Sequence, residues 1–336
     1  MTPNSLIRSP RLVRRIAAVS IALGFAALAA ASPAHAGISP SSPDAAARGQ
    51  WTAKRDDRPN LIWFGFQSTL SHGGWNQNWD GMPIAQLKGL SPDAINGPTS
   101  DVAFDIVRDA GTLRCHGEFS DGIGAGLFDL VLDSRYADQL EKRGVGRPTR
   151  DQQVRLALAD ASYELLDVLA AQKYPTPDVD MFLKMTQHGV DVEYIQGMAK
   201  LGYKFGTVSE LIKARDHGVD PEFVRRMADA GYSKLDFDVL LRARDHGADP
   251  EYIGDMGELG FKKLPLEDLI RARDHGVDAD YVEGMNRAGY PNLSLATLIR
   301  ARDHGVSPNY AKRMKENRAG VTIEEVISMR DRGVHD

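Results

Sequence analysis

Apolar positions recur with two different periods along the chain, and the change of period divides it. Between residues 59 and 133 the period is two. Leu61-Ile62-Trp63-Phe64-Gly65-Phe66 is a short aromatic run, and Val102, Phe104 and Ile106 alternate with Ala103, Asp105 and Val107. Further on, Leu113, Cys115, Gly117 and Phe119 alternate with Arg114, His116 and Glu118. Such alternation marks half-buried strands, and Asp109-Ala110-Gly111 and Ser120-Asp121-Gly122 supply the turns between them. The pattern predicts an antiparallel meander with one wet face. Pro83 to Leu90 reads as a short helix closed by Gly89.

From residue 134 the period lengthens. Thr149-Arg150-Asp151-Gln152 is a capping-box pattern, and Val154, Leu158, Ala161, Leu165 and Leu169 recur at three- and four-residue steps. Residues 134–177 are therefore predicted as a helical connector with one longer amphipathic helix to about Gln172, stopped by Pro175 and Pro177.

The strongest signal follows. His217, His246, His275 and His304 each lie in an Asp-His-Gly triplet and stand 29 residues apart, His188 lies 29 residues before the first, and Arg332-Gly333 is a degenerate end. A fixed period of this size defines a solenoid of stacked units across 178–336. Each unit opens on a residue such as Asp178, Thr207, Asp236, Ser294 or Thr322, N-cap types that accept from free backbone N–H groups. An apolar stripe follows, for example Val208, Leu211, Ile212 and Ala214.

His-Gly then ends the first helix. Gly218, Gly247, Gly276 and Gly305 supply the left-handed residue of a Schellman-type ending, while His188, His217, His246, His275 and His304 are expected to reach the last free carbonyls. Asp191, Asp220, Asp249, Asp278 or Ser307 starts a second helix, with Pro221, Pro250 and Pro308 at its first position. Helices of about ten residues are marginal alone, so they must bury their stripes against neighbouring units. The expected fold class is α+β: a small antiparallel β-meander domain, then an α-solenoid of 29-residue helix-turn-helix repeats.

The N-terminus adds an address. Arg8, Arg11, Arg14 and Arg15 precede an apolar run from Ile16 to Ala31, and Ala34-His35-Ala36 follows. That is the build of a secretory signal peptide over 1–36, cleaved after Ala36, which makes the mature chain periplasmic or secreted, with no membrane span after cleavage. Residues 37–58, rich in Ala, Ser, Pro and charge, read as a flexible linker. Net charge is −5, and loss of the four leader arginines takes it to −9, which argues against nucleic acid as a partner.

Candidate chemistry is sparse. The single Cys excludes a disulfide framework and any multi-Cys metal site. Cys115 and His116 are adjacent on a strand and point to opposite faces, so they cannot act as a catalytic pair. One His per unit, with equivalent atoms about 10 Å apart, does not build a metal site. No catalytic, cofactor-binding or metal-ligating residue is assigned. The Arg-Asp pairs, Arg215-Asp216 to Arg302-Asp303, are candidates for an ion-pair ladder between units. The repeated Met at 198, 227, 256, 285 and 314 reads as core, with a Met-rich partner groove as the alternative. In the segment Trp75-Asn76-Gln77-Asn78-Trp79, Trp75 and Trp79 with Asn76 and Asn78 form a candidate stacking platform for a cell-wall glycan; the competing reading is a hairpin whose indoles cover the sheet.

The repeat core R-D-H-G-V-D-P-E-[YF] resembles the repetitive extracytoplasmic region of some bacterial antirepressor-type membrane metallopeptidases and of free-standing secreted relatives. Trp75–Trp79 through Leu87–Leu90, and Arg108–Thr112 through Gly124–Gly126, are similar to the small β domain that precedes the repeats there. The resemblance covers about residues 60–336. It implies this architecture and a sensing or partner-binding role; the peptidase half, with its H-E-x-x-H helix, has no counterpart here. The sequence thus points to an exported, non-enzymatic scaffold that offers a solenoid surface to a protein or peptide of the cell envelope. A glycan-binding module, or a hydrolase built on acidic residues of the β domain, are the alternatives.

Overall fold

The computed structural model describes residues 43–70 and 73–334, and the side chains of these except 69, 70 and 73–75. The leader, His72 and His335 lie outside the described residues. Seven strands form one antiparallel sheet: β1 (Ala47–Arg55), β2 (Leu61–Leu70), β3 (Gly73–Pro83), β4 (Leu87–Lys88), β5 (Ser100–Arg108), β6 (Gly111–Ser120) and β7 (Ile123–Leu132), in the order β3-β2-β1-β7-β6-β5-β4.

Two expectations are corrected in this domain. Residues 47–55, assigned to the flexible linker, are a strand inside the sheet, paired with β2 on one side and β7 on the other. Trp51 and Ala53 are buried while Gln50, Thr52 and Lys54 are exposed, an alternation hidden by the polar composition around it. The short helix expected at 83–90 is a single 3-10 turn, Ile84–Gln86, followed by β4.

The sheet curls around an aromatic interior. Trp51 of β1 meets Phe104 of β5 at 5.2 Å between ring centroids, and Phe64 of β2 meets the same ring at 5.9 Å, although β7 and β6 separate β1 from β5 within the sheet. Cys115 is buried in this interior, and burial raises its thiol well above the ordinary value.

Helices α1 (Pro92–Asn96) and α2 (Tyr136–Lys142) precede a series of pairs: α3 (Arg150–Leu158) with α4 (Tyr163–Ala171), α5 (Val179–Gln187) with α6 (Val192–Lys200), and α7 (Val208–Asp216) with α8 (Pro221–Asp229). Then come α9 (Phe237–Asp245) with α10 (Pro250–Glu258), α11 (Leu266–Asp274) with α12 (Ala279–Arg287), and α13 (Leu295–Asp303) with α14 (Pro308–Asn317). The final helix is α15 (Ile323–Asp331).

The connector is itself a repeat. Its expected single helix is broken at Ala159-Asp160-Ala161, and the resulting α3–α4 pair begins 29 residues before α5–α6 at both helix starts. Asp160, with φ +56°, replaces the turn glycine, and Ser162 caps α4 where Asp191 caps α6. The unit lacks the Asp-His-Gly index, which is why its period does not show in the sequence. Both helices of every unit up to α11–α12 end the same way, with the amide two residues beyond the C-cap returning to a carbonyl five residues back, as in Val190 to Met185 and Tyr203 to Met198, both 2.9 Å; α14 instead ends on an extended Arg318.

Candidate functional site

Two places concentrate polar side chains: the seams between repeat units and the junction between sheet and repeats. At the seams, the index histidine does not turn back on its own helix. Its ring Nδ1 meets the aspartate that ends the first helix of the next unit: His188 to Asp216 at 2.7 Å, His217 to Asp245 and His246 to Asp274 at 2.6 Å, His275 to Asp303 at 2.5 Å, and His304 to Asp331 at 2.7 Å. The carbonyls it was expected to cap are taken by backbone amides; His217, for example, donates its own N–H to Lys213 O at 3.1 Å. Each of these histidines is the C-cap residue of its helix, but its ring bridges to the next unit instead of reaching its own helix's carbonyls.

The expected Arg–Asp ladder is corrected too. Arg215 lies over the Tyr194 ring at 5.2 Å, Arg244 over Phe223 at 5.2 Å, Arg273 over Tyr252 at 5.1 Å and Arg302 over Tyr281 at 4.8 Å, each aromatic belonging to the preceding unit. The guanidinium passes close to that unit's turn glycine, as Arg244 Nε does at 3.1 Å from where a Cβ on Gly218 would stand. The same tyrosines donate forward, Tyr194 to Val219 O at 3.0 Å and Tyr252 to Val277 O at 2.9 Å. Burial raises these phenols, Tyr252 and Tyr281 to about 12. The Met at 198, 227, 256, 285 and 314 is buried in every copy.

The signature residues Arg, Asp, His, Gly and Tyr are therefore largely consumed in joining unit to unit. What remains outward falls into two classes. The first helices present a uniform basic column, Lys184, Lys213, Arg242, Arg271 and Arg300, beside a changing one, Asp180, Ser209, Asp238, Glu267 and Ala296, all exposed, and Arg242 pairs with Glu267 and Arg300 with Glu324 across the seams. The second helices present columns that change at every step: Gln196, Arg225, Gly254, Glu283 and Lys312 in one, Lys200, Asp229, Glu258, Arg287 and Glu316 in another.

At the junction, consecutive residues of the β5–β6 turn clamp the first repeat. Arg108 donates through one guanidinium nitrogen to Ala157 O and Leu158 O, both 2.8 Å, at the C-terminus of α3. Asp109 accepts from Tyr163 N at 2.6 Å, at the N-terminus of α4. Each charge has the sign that its helix end attracts. Arg108 is buried, and desolvation lowers its pKa against the opposing pull of Asp160, 3.6 Å from its Nε. A cleft of about 670 Å³ opens beside it, lined by Asp109, Asp133, Arg135, Asp160, Tyr163 and Glu164 among others. Arg135 holds the Asp133 carboxyl below its ordinary value by a direct hydrogen bond.

Of the candidate glycan platform, Trp79 faces the interior: its ring packs edge-on against Phe66 at 5.2 Å and lies beneath the Arg108 guanidinium at 4.7 Å. Asn76 and Asn78 are exposed on the opposite side of β3. The Trp75 backbone pairs with Ser68, and its side chain lies outside the described residues. Among the described residues no cluster of three His, Cys, Asp or Glu side chains can hold a metal ion, and no helix is long and apolar enough to cross a membrane.

The geometry thus defines an α+β chain, a curled antiparallel sheet docked on a helical-repeat array. No family model, curated protein or solved structure matches it.

Proposed function

We propose that the protein is an exported, non-enzymatic binding scaffold that engages a protein or peptide of the cell envelope along the second helices of its repeats. The observation that carries this reading is the division of labour among the repeated positions. Residues identical from unit to unit serve the seams, each first helix keeps one exposed basic position beside a column that is acidic or neutral (Asp180, Ser209, Asp238, Glu267 and Ala296), and the second helices alone reverse charge sign from copy to copy. A rigid frame whose second-helix face varies in charge sign suits recognition of a single partner by many small contacts. The carboxylates of the junction cleft support the same reading over a hydrolytic one, since Asp109, Asp133 and Asp160 have structural partners.

A photo-crosslinking residue placed in turn at Arg226, Asp255 and Arg313 on the second-helix face, and at Lys213 and Arg271 on the first, tests it in the native envelope. A discrete adduct from the second-helix positions alone is expected. Equal adducts from both faces, or none from either, would overturn the proposal.

A further inference from the structure

The sheet face turned away from the aromatic interior carries a polar surface around one tryptophan, Trp63, with Lys54 of β1 as its cross-strand neighbour. Ile62, Phe64 and Phe66 of β2 are buried, so alternation sends Trp63, Gly65 and Gln67 outward. Strand register places Gly65 beside Thr52 of β1 and Asn78 of β3, and Gln67 beside Gln50 and Asn76. Gln50, Thr52, Gln67, Asn76 and Asn78 are exposed and Trp63 is half-buried.

Around Gly65 three of these side chains converge. A Cβ at that position would stand 2.6 Å from Asn78 Oδ1, 2.9 Å from Trp63 Cη2 and 3.2 Å from Thr52 Oγ1. The indole therefore overlies the glycine, bordered by an amide on one neighbouring strand and a hydroxyl on the other. Glycine weakens a strand interior and marks a close approach; here it makes the room in which indole, amide and hydroxyl meet.

We propose that this Trp63 surface binds a neutral sugar chain. A pyranose ring offers an apolar C–H face rimmed by hydroxyls. An indole complements the first, and Asn, Gln and Thr supply both donors and acceptors for the second. None of these six side chains is ionisable and the one charge directly opposite Trp63 is Lys54, so the surface offers too little charge for a polyanion or a basic peptide and matches a polyhydroxylated ligand. Asn76 and Asn78 of the amide-rich segment belong to the site; its aromatic partner comes from the neighbouring strand, because Trp79 is engaged by Phe66 and Arg108 on the interior side.

The chain from residue 37 onward, with sedimentable peptidoglycan sacculi and soluble hexasaccharides of glucose and of N-acetylglucosamine as probes, supplies the test. Wild type is expected to bind at least one probe: sacculi alone would identify a wall polymer as the source, and a hexasaccharide would identify a free oligosaccharide. Trp63→Ala is expected to weaken binding about tenfold or more, Trp63→Tyr to retain most of it, and exposed Asn78→Ala to weaken it without lowering the melting temperature. The inference is overturned if wild type binds none of the probes. It is also overturned if Asn78→Ala and a folded Trp63→Ala both bind as wild type does; should Trp63→Ala fail to fold, Asn78→Ala and Trp63→Tyr decide.

Discussion

His217 and Asp245 are 28 residues apart in the chain and 2.6 Å apart across the seam between two repeat units. The same contact recurs at five successive seams, so the pair sets the register of stacking where apolar packing alone tolerates sliding. Both side chains are about two-fifths exposed, which limits each contact to about 0.5 kcal/mol. A double-mutant cycle of His217→Ala and Asp245→Ala in chemical denaturation should return a coupling of that size. His217→Ala combined with Asp274→Ala, which belongs to another seam, should be additive.

Arg108 is the buried charge that joins sheet to repeats. Arg108→Met keeps the volume but leaves the α3 carbonyls without their donor, and should cost about 2 to 3 kcal/mol of stability. Exposed Arg135→Met in the adjacent cleft should leave the denaturation midpoint unchanged. Equal effects of the two would show that the junction is held by apolar packing instead.

Three glycines should respond differently. Gly254 lies inside α10 with nothing within 4 Å of a built Cβ, so Gly254→Ala should stabilise by about 0.5 to 1 kcal/mol. Gly197 sits where a Cβ would come 2.6 Å from Pro221 Cγ of the next unit, and Gly197→Ala should destabilise by about 1 kcal/mol or more. Gly247 has φ +67°; Gly247→Val should lose about 1 kcal/mol or more because a β-branched residue is strained there. Thermal melts of the three variants check the order.

Alkaline stability should follow the seam tyrosines. Burial raises Tyr252 and Tyr281 from 10.0 to about 12, so the folded chain holds these protons more tightly than the unfolded chain does. The stability they contribute is fully present below pH 10 and is lost as pH rises through about 12. Phenolate absorbance and helical circular dichroism should therefore change together in that window. Phenolate formation well below it, with helicity intact, would contradict the burial.

Cys115 should be silent. Its thiol is buried and raised well above the ordinary value, which depletes the thiolate that alkylating reagents attack. Labelling at pH 8 is expected only after addition of denaturant.

Much of this molecule was determined by the sequence alone. The 29-residue period, the capping residues Asp191, Asp220 and Thr207, the left-handed glycines and the alternating strands are local: each depends on neighbours within a turn of helix or along one strand, and such interactions are written in adjacent residues. The period failed only where its markers were missing, at the α3–α4 unit, where Asp160 does a glycine's work. Tertiary structure decided the rest. It placed β1 between β2 and β7 through Trp51, turned His217 toward Asp245 rather than its own carbonyls, moved Arg244 onto Phe223, and set Arg108 over Trp79. These choices join residues distant in the chain, such as Arg244 with Phe223 and His217 with Asp245, where many partners of the right chemistry compete, and the winner depends on which surfaces packing brings within a few ångströms.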